Sequence, residues 1–172
     1  MTNPTFEAVR TVLAVREYDT TREIPADVLD RIVEAAWLSA SSVNLQPWHF
    51  VVVRGRSELQ ALGRMVKTGP YIAEAAAAIV IAYERESRYG VSDVSRAVQS
   101  MVLTAWADGV GSNWTGFGGL EEVRRHVGLP DRYDVLAVLP FGYPRRAVGR
   151  GRKKRKPIGE VVSEGRFGRP YR

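Results

Sequence analysis

The sequence has no cysteine and only two histidines, His49 and His126, among its 172 residues. Disulfide bonds, thiol nucleophiles and cysteine-built zinc sites are therefore excluded, and a histidine-rich metal site or a serine–histidine triad has little support. No apolar run reaches the length of a membrane-spanning helix. The first residues lack a basic start and an apolar signal core, so we expect a cytoplasmic protein that does not contact membranes.

The composition is that of one ordinary globular domain, with 45% hydrophobic and 26% charged residues. The formal net charge of +6 is concentrated in one basic run, which leaves the rest of the chain near neutral. Such a run could contact a ligand phosphate, contact nucleic acid or form a solvated tail, and composition leaves these three open. The basic run consists of Arg145, Arg146, Arg150, Arg152, Lys153, Lys154, Arg155 and Lys156.

Helical and strand patterns alternate along the chain without an internal repeat, which predicts a sheet covered by helices on both faces. From residue 145 onward the pattern no longer resembles a core, so we expect a core at 1–144 and an arm at 145–172. The arm's apolar cluster needs a surface to bury it, and a second subunit is one such surface. The predicted helices begin at Pro4 (ending near Arg16), Pro25, Ser57, Ser92 or Asp93, and Leu120; the predicted strands cover 49–53, 79–83 and 134–139, with Pro140 ending the last.

A polar loop, Ser41-Ser42-Val43-Asn44-Leu45-Gln46-Pro47-Trp48, joins an amphipathic helix to a buried strand. Its hydroxyl and amide groups could line a planar polar ligand, or they could form only the local bonds of a helix exit. A second segment, Ser112 to Gly119, is rich in glycine, and either a close backbone approach to a ligand or a tight turn would explain it. These residues alone do not decide between the two interpretations.

Three further motifs occur in a fixed order around these segments: Arg16-Glu17-Tyr18, Phe141-Gly142-Tyr143-Pro144 and Lys153-Lys154-Arg155-Lys156-Pro157. With the polar loop and Trp114-Thr115-Gly116, they make nearly the whole chain resemble the FMN-dependent nitroreductase family. The resemblance implies an α/β (α+β) three-layer sandwich, with a central mixed sheet flanked by helices. It also implies noncovalently bound FMN and a homodimer with two sites at the interface.

The resemblance implies roles for eight cofactor-binding residues and for no catalytic side chain, because the flavin carries the chemistry. Arg16 would lie beside the ring, and the backbone of the glycine-rich segment would face its reactive nitrogen. The polar loop would reach the cofactor, and the terminal cations would hold its phosphate. The implied residues are Arg16, Ser41, Ser42, Asn44, Thr115, Gly116, Lys153 and Arg155, with no metal ligand.

The sequence departs from the family pattern at the positions where many members carry an Arg-Arg-Ser type of run. Val12, Leu13 and Ala14 stand there, so the phosphate contacts expected from that run are missing. Arg10 is displaced from this register, and Ala40 replaces the usual proline before the loop. Residues 84–90 leave little room for the helical excursion that often covers the flavin, so we expect an open substrate side.

The resemblance implies an NAD(P)H-dependent oxidoreductase, with NADH or NADPH as electron donor. Hydride would pass through FMN to a flat conjugated acceptor, such as a nitroaromatic or a quinone, in a two-step exchange. Another flavin-dependent activity of the superfamily, dehalogenation or ring oxidation, is an alternative. A protein that binds nucleic acid through the basic arm is a weaker alternative, because no aromatic residues are interleaved with the basic run.

Overall fold

The computed structural model describes residues 3–149 and 153–171. Three short 3₁₀ turns, Ser42–Asn44, Pro70–Glu74 and Ile158–Glu160, interrupt the connections between the main elements. The helices are α1 Pro4–Thr11, α2 Ala26–Trp37, α3 Arg56–Met65, α4 Gly90–Ala107 and α5 Glu121–His126; the strands are β1 Trp48–Val53, β2 Ala77–Glu84, β3 Gly111–Ser112 and β4 Tyr133–Gly142.

The four strands form one sheet in the order β1-β2-β4-β3, and every pair of neighbouring strands is antiparallel. A single parallel bridge between Ala14 and Ser112 adds the segment after α1 to the edge beside β3. That bridge is isolated and lies outside the four strands, so the sheet itself is antiparallel rather than the mixed sheet that the resemblance implies. β1 forms the opposite edge, so the polar loop that precedes it lies at a rim of the sheet.

Strand β2 alternates its side chains between two separate apolar clusters. Ile79 and Ile81 pack with α2 and α4 on one face, whereas Ala78 and Val80 pack with α3 and α5 on the other. All four of these side chains are fully buried. The predicted three-layer sandwich is therefore confirmed, with helices on both faces of the sheet.

The predicted extent of the first helix was wrong, because α1 ends at Thr11 rather than near Arg16. Val12 leaves the helical conformation, and the N–H of Val15 then donates to the Ser112 carbonyl at 2.9 Å. A side chain on Gly111 would collide with Val15, so the glycine is what lets this segment approach β3. The segment after Thr11 therefore pairs with β3, a short strand that the sequence did not predict, instead of continuing the helix.

Three other predicted boundaries also differ. β4 continues through Pro140, which lies opposite Ala78, and ends at Gly142. α3 begins at Arg56 directly after Gly55, whose φ of 88° suits only glycine, so Ser57 is not its N-cap. α4 begins at Gly90, before both residues predicted to cap it.

The described part of the arm is largely exposed. Its one strand-like contact is the bridge between Ser163 and Pro170, and its apolar side chains Ile158 and Val161 are 63% and 64% exposed. Arg150 and Arg152 of the predicted basic run lie outside the described residues. Over 3–149 and 153–171, no helix has the length and apolar character needed to cross a membrane.

Candidate functional site

Helix α4 has polar residues on two faces that border different parts of the chain. Asp93 and Ser100 share one face, and Ser95, Gln99 and Val102 share another, since residues three, four or seven apart align along a helix. The two rows begin two residues apart, which places them about 200° apart around the axis. The first row contacts the polar loop and the residues before it, and the second row lines a cleft.

The polar loop at 41–48 adopts an unusual backbone conformation. Val43, Asn44 and Gln46 have φ values of 44°, 56° and 51°, in the left-handed region that non-glycine residues rarely occupy. Ser41 Oγ accepts the Gln46 N–H at 3.0 Å, and the Gln46 side-chain amide donates to the carbonyl oxygen and to Oδ1 of Asn44, both at 3.3 Å. Bonds within the loop and to its surroundings therefore hold a conformation that is costly for these residues.

Asp93 is the loop's anchor on α4. Its carboxylate is fully buried and accepts two hydrogen bonds from Ser42, one from the N–H at 2.9 Å and one from the hydroxyl at 3.0 Å. Arg96, one turn further along α4, forms an ion pair with the same carboxylate at 3.1 Å. The side chain predicted as a possible helix cap instead bonds the loop.

A cleft of about 380 Å³ lies on the second face of α4. We call it the cationic cleft, because Lys153 and Arg155 are charged and no described lining residue is acidic. Positive charge without a neighbouring carboxylate favours an anionic ligand. The cleft is lined by Val12, Leu13, Ala14, Ser95, Val98, Gln99, Val102, Ser112, Asn113, Trp114, Lys153 and Arg155.

The two cations of the cleft make only backbone hydrogen bonds among the described residues. Lys153 Nζ donates to the Val9 carbonyl at 2.5 Å, near the end of α1, and Arg155 Nη1 donates to the Lys154 carbonyl at 3.0 Å. Burial lowers the pKa of Lys153, and the charge of Arg155 lowers it further. A negative group placed between them would relieve that repulsion.

Asn113 presents an acceptor at the wall of the cationic cleft. Its side-chain Nδ2 donates to the Tyr71 hydroxyl at 2.5 Å and to the Trp114 carbonyl at 3.1 Å. Both amide hydrogens are thereby engaged, which leaves the Oδ1 oxygen to accept from a ligand hydroxyl or N–H. Trp114 packs against the core cluster between the sheet and α4, so it also fixes this wall.

Thr115 and Gly116 lie beside a smaller cavity of about 170 Å³ on the α3 side of the sheet. Thr115 is fully buried and pairs through its backbone with Val138, whereas the Gly116 N–H donates to Thr68 Oγ1 at 3.0 Å. Thr115 Oγ1 has no hydrogen-bond partner among the described residues. The N–H predicted to face the flavin is therefore engaged with Thr68 in the isolated chain.

Arg16 is exposed, and its guanidinium makes no hydrogen bond with the described residues. The backbone segment that carries Arg16 is anchored by Tyr18, whose fully buried hydroxyl donates to the Val15 carbonyl at 2.8 Å. Burial raises the pKa of Tyr18 well above its usual range, and the nearby charge of Arg16 opposes that shift. Arg16 therefore projects from a well-anchored segment.

The structure brings the eight predicted residues together in groups rather than in one pocket. The three loop residues share one side of α4, the two C-terminal cations share the other, and Thr115 with Gly116 lies by the smaller cavity. Sequence reasoning missed Asn113, Gln99 and the anchoring role of Asp93. The spacing of Ser95 and Gln99 could have indicated a polar helix face, but no sequence signal pairs Asp93 with Ser42.

The profile of the Nitroreductase family matches residues 10–143. A protein of Methanothermobacter thermautotrophicus, provisionally named NADH dehydrogenase/NAD(P)H nitroreductase, is 34% identical over 152 residues, covering 84% of this chain and 79% of its own. A crystal structure from Bacteroides thetaiotaomicron, with the same provisional name, superposes with a TM-score of 0.87 at 25% identity, covering 95% of this chain and 99% of that chain. An FMN-dependent nitroreductase of Clostridium difficile has a TM-score of 0.85 at 24% identity, over 94% of this chain and 99% of that one, and supports the fold.

All of these matches include the part of the chain that contains the polar loop, α4 and the glycine-rich segment. The family profile covers well over half of the chain, and the archaeal relative exceeds 30% identity over most of its length. The chain belongs to the nitroreductase family.

Proposed function

We infer that the protein is an NAD(P)H-dependent FMN oxidoreductase. The observation that carries this inference is the cationic cleft, in which Lys153 and Arg155 lie beside the apolar and aromatic surface of Val102 and Trp114 and no described lining residue is a carboxylate. A phosphate group with a charge of about −2 suits such a pair of cations, and a flat ring system suits the apolar wall. The donor set of the cleft therefore fits FMN.

Within this proposal, the chain binds and orients the cofactor, and no side chain acts as acid, base or nucleophile. Bound FMN supplies hydride transfer between the nicotinamide and the acceptor. Lys153 and Arg155 would hold the phosphate, and Asn113 would accept from a cofactor hydroxyl or N–H. Arg16 would place positive charge beside the ring, where negative charge develops during reduction.

The polar loop would frame the ring together with the cationic cleft, although both lie on opposite faces of one α4. A second copy of the chain resolves this separation, because its loop could complete the cleft of the first copy. The exposed apolar residues Ile158 and Val161 of the arm support such a homodimer, since they need a covering surface. We therefore propose a homodimer in which the arm packs on the partner.

The role carried over to Thr115 and Gly116 is part of the same proposal. Contact between the Gly116 N–H and the ring would require the bond from that N–H to Thr68 to be exchanged for one to the cofactor. The Thr115 hydroxyl oxygen is buried without a partner among the described residues, so this segment has unused polar capacity.

The proposed reaction is a two-step exchange in which NADH or NADPH first donates hydride and then leaves, after which a flat conjugated acceptor enters. Nitroaromatics and quinones are the proposed acceptors. The connection between β2 and α4, residues 85–89, is short, and it supports an open substrate side that would admit such molecules.

Absorption spectra of the purified protein, followed by titration of the apoprotein with FMN, test the cofactor. We expect flavin absorption bands and saturable binding that is tighter for FMN than for riboflavin, which lacks the phosphate. Steady-state oxidation of NADH and NADPH, with and without a nitroaromatic, a quinone or an iodinated phenol, tests the acceptor class. A colourless protein that takes up no FMN would overturn the proposal.

A further inference from the structure

The loop at 41–48 is linked to α4 by one buried charged group. Asp93 is fully buried, yet no lysine or arginine other than Arg96 forms an ion pair with it among the described residues. A buried carboxylate is stable only when hydrogen bonds satisfy its oxygens, and Ser42 provides one to each oxygen. The pair therefore joins the loop to the helix with charge-assisted bonds, which are stronger than neutral ones.

These bonds also determine the direction of the Ser42 hydroxyl. An ionised carboxylate can only accept, so Ser42 must donate its single hydroxyl proton to Asp93. The remaining lone pairs of Ser42 Oγ can then only accept from a ligand. Ser41 has the opposite character, because its Oγ already accepts the Gln46 N–H and no described residue accepts its proton.

We propose that Asp93 is a positioning residue for cofactor binding, which holds the strained loop in place and makes Ser42 a hydrogen-bond acceptor toward the ligand. This inference rests on the proposed function, in which the loop contacts FMN. FMN carries hydrogen-bond donors that could pair with such an acceptor, namely its ribityl hydroxyls and its ring N–H. The neighbouring Ser41 would present a donor to the carbonyl or hydroxyl oxygens of the same ligand.

The strained loop is the reason that a distant side chain can matter. Three left-handed non-glycine residues follow Ser42, and two of them, Val43 and Gln46, disfavour this conformation in the absence of other contacts. Without Asp93, the loop would be free to relax into conformations in which Ser41 and Asn44 no longer face a common ligand. Loss of the anchor would therefore weaken binding through several contacts together.

Asp93→Asn tests the proposal because it keeps the shape of the side chain while reversing its hydrogen bonding to Ser42. An asparagine that accepts the Ser42 N–H must present its amide N–H to the hydroxyl, which turns Ser42 into a donor. We expect the dissociation constant for FMN to rise about tenfold, the loss typical of one charge-assisted bond. Asp108→Asn, in an exposed ion pair with Arg31 at the other end of α4, should leave it unchanged.

Ser42→Ala and the double variant Asp93→Asn/Ser42→Ala complete a mutant cycle. If Asp93 acts through the Ser42 hydroxyl, the double variant should bind FMN no more weakly than the worse single variant, so the effects are not additive. Wild-type protein that binds FMN while Asp93→Asn binds it equally well would overturn this inference and leave the proposed function intact. Wild-type protein that binds no FMN would instead overturn the proposed function.

Amide hydrogen exchange in the wild-type apoprotein tests the anchor without a substitution, so it remains informative if Asp93→Asn does not fold. The Ser42 N–H, bonded to a buried carboxylate, should exchange slowly, whereas the Val43 N–H has no acceptor among the described residues and should exchange quickly. Equal, fast exchange at both positions would show that the anchor does not hold the loop, and would contradict the proposal.

Discussion

The polar loop and the cationic cleft differ in how far the chain satisfies its own polar groups. In the loop, Ser42, Asn44 and Gln46 are engaged with one another or with Asp93. In the cleft, Lys153 and Arg155 bond only to backbone carbonyls among the residues the structure describes, and none of the described lining residues carries a carboxylate. The loop is thus arranged before a ligand arrives, whereas the cleft has charge that a ligand would neutralise.

Because of this difference, we expect the loop and the cleft to contribute differently to ligand binding. A preorganised loop gives up little conformational freedom on binding, so it contributes to orientation and selectivity. Two cations near one another repel, so an incoming anion gains both its own attraction and the relief of that repulsion. We therefore expect the cleft to dominate affinity for the phosphate and the loop to dominate the placement of the ring.

The largest expected effect comes from removing both cations with Lys153→Ala/Arg155→Ala. We expect the dissociation constant for FMN to rise about a hundredfold or more, because two charge-assisted contacts to the phosphate are lost. Fluorescence titration of the apoprotein with FMN and with riboflavin measures the effect. Affinity for riboflavin should barely change, so the preference for FMN should disappear.

Arg10→Ala is the matched control for this double variant. Arg10 is a nearby exposed cation, but it pairs with Glu7 at 2.7 Å and does not line the cationic cleft. We expect little change in FMN affinity. A larger loss for Arg10→Ala than for the cleft variant would show that the phosphate is held elsewhere.

The next effect concerns the arm that carries the cations. Ile158→Asp/Val161→Asp places charges on two exposed apolar positions that the proposed dimer would bury. We expect the dimer to dissociate at concentrations at least about tenfold higher than for the wild type, as measured by light scattering or sedimentation. Glu164→Gln, a polar change in the same arm, is the control, and an unchanged oligomeric state in both variants would contradict the proposed packing.

The sequence predicted the layers better than it predicted the connections. The apolar, β-branched residues Ile79, Val80 and Ile81 stand next to one another, so a short stretch of sequence is enough to indicate a strand that is buried on both faces. The pairing of Val15 with Ser112 joins positions far apart in the chain, and local pattern instead predicted a longer α1. Long-range pairing of this kind leaves no local signal.

The candidate site shows the same limit. The loop and the terminal cations were identified because their motifs resemble those of the nitroreductase family. Asp93 was predicted as a helix cap, since an acidic residue near a helix start commonly has that role. Its burial against Ser42 follows from the way α4 crosses the loop, which the sequence pattern does not describe.

A smaller effect should distinguish Lys153 from a permanently charged residue. Burial and Arg155 lower the pKa of Lys153, so the free protein loses this charge at a pH below the ordinary lysine value of 10.5. FMN affinity should therefore fall as the pH rises through that lowered pKa. Lys153→Arg should retain affinity over the same range, because arginine stays protonated.

The same pKa shift fixes the sign of a stability effect. Between the lowered pKa of Lys153 and 10.5, the unfolded chain holds a proton that the folded chain has released. The contribution of this lysine to the free energy of unfolding therefore increases with pH across that window. Parallel denaturation and FMN titrations should show that, relative to Lys153→Arg, the wild type gains free energy of unfolding and loses FMN affinity as the pH rises through this window.

The smallest expected effect lies in the loop. Val43 is a β-branched residue with φ of 44° and an 83% exposed side chain, so it has a strained backbone without a compensating buried contact. Val43→Asn should raise the free energy of unfolding by about 1 kcal/mol, because asparagine tolerates the left-handed region. Val52→Asn, at an exposed strand position, should lower it instead. Thermal denaturation compares the two, and a destabilised Val43→Asn protein would mean that the loop does not hold this conformation before a ligand binds.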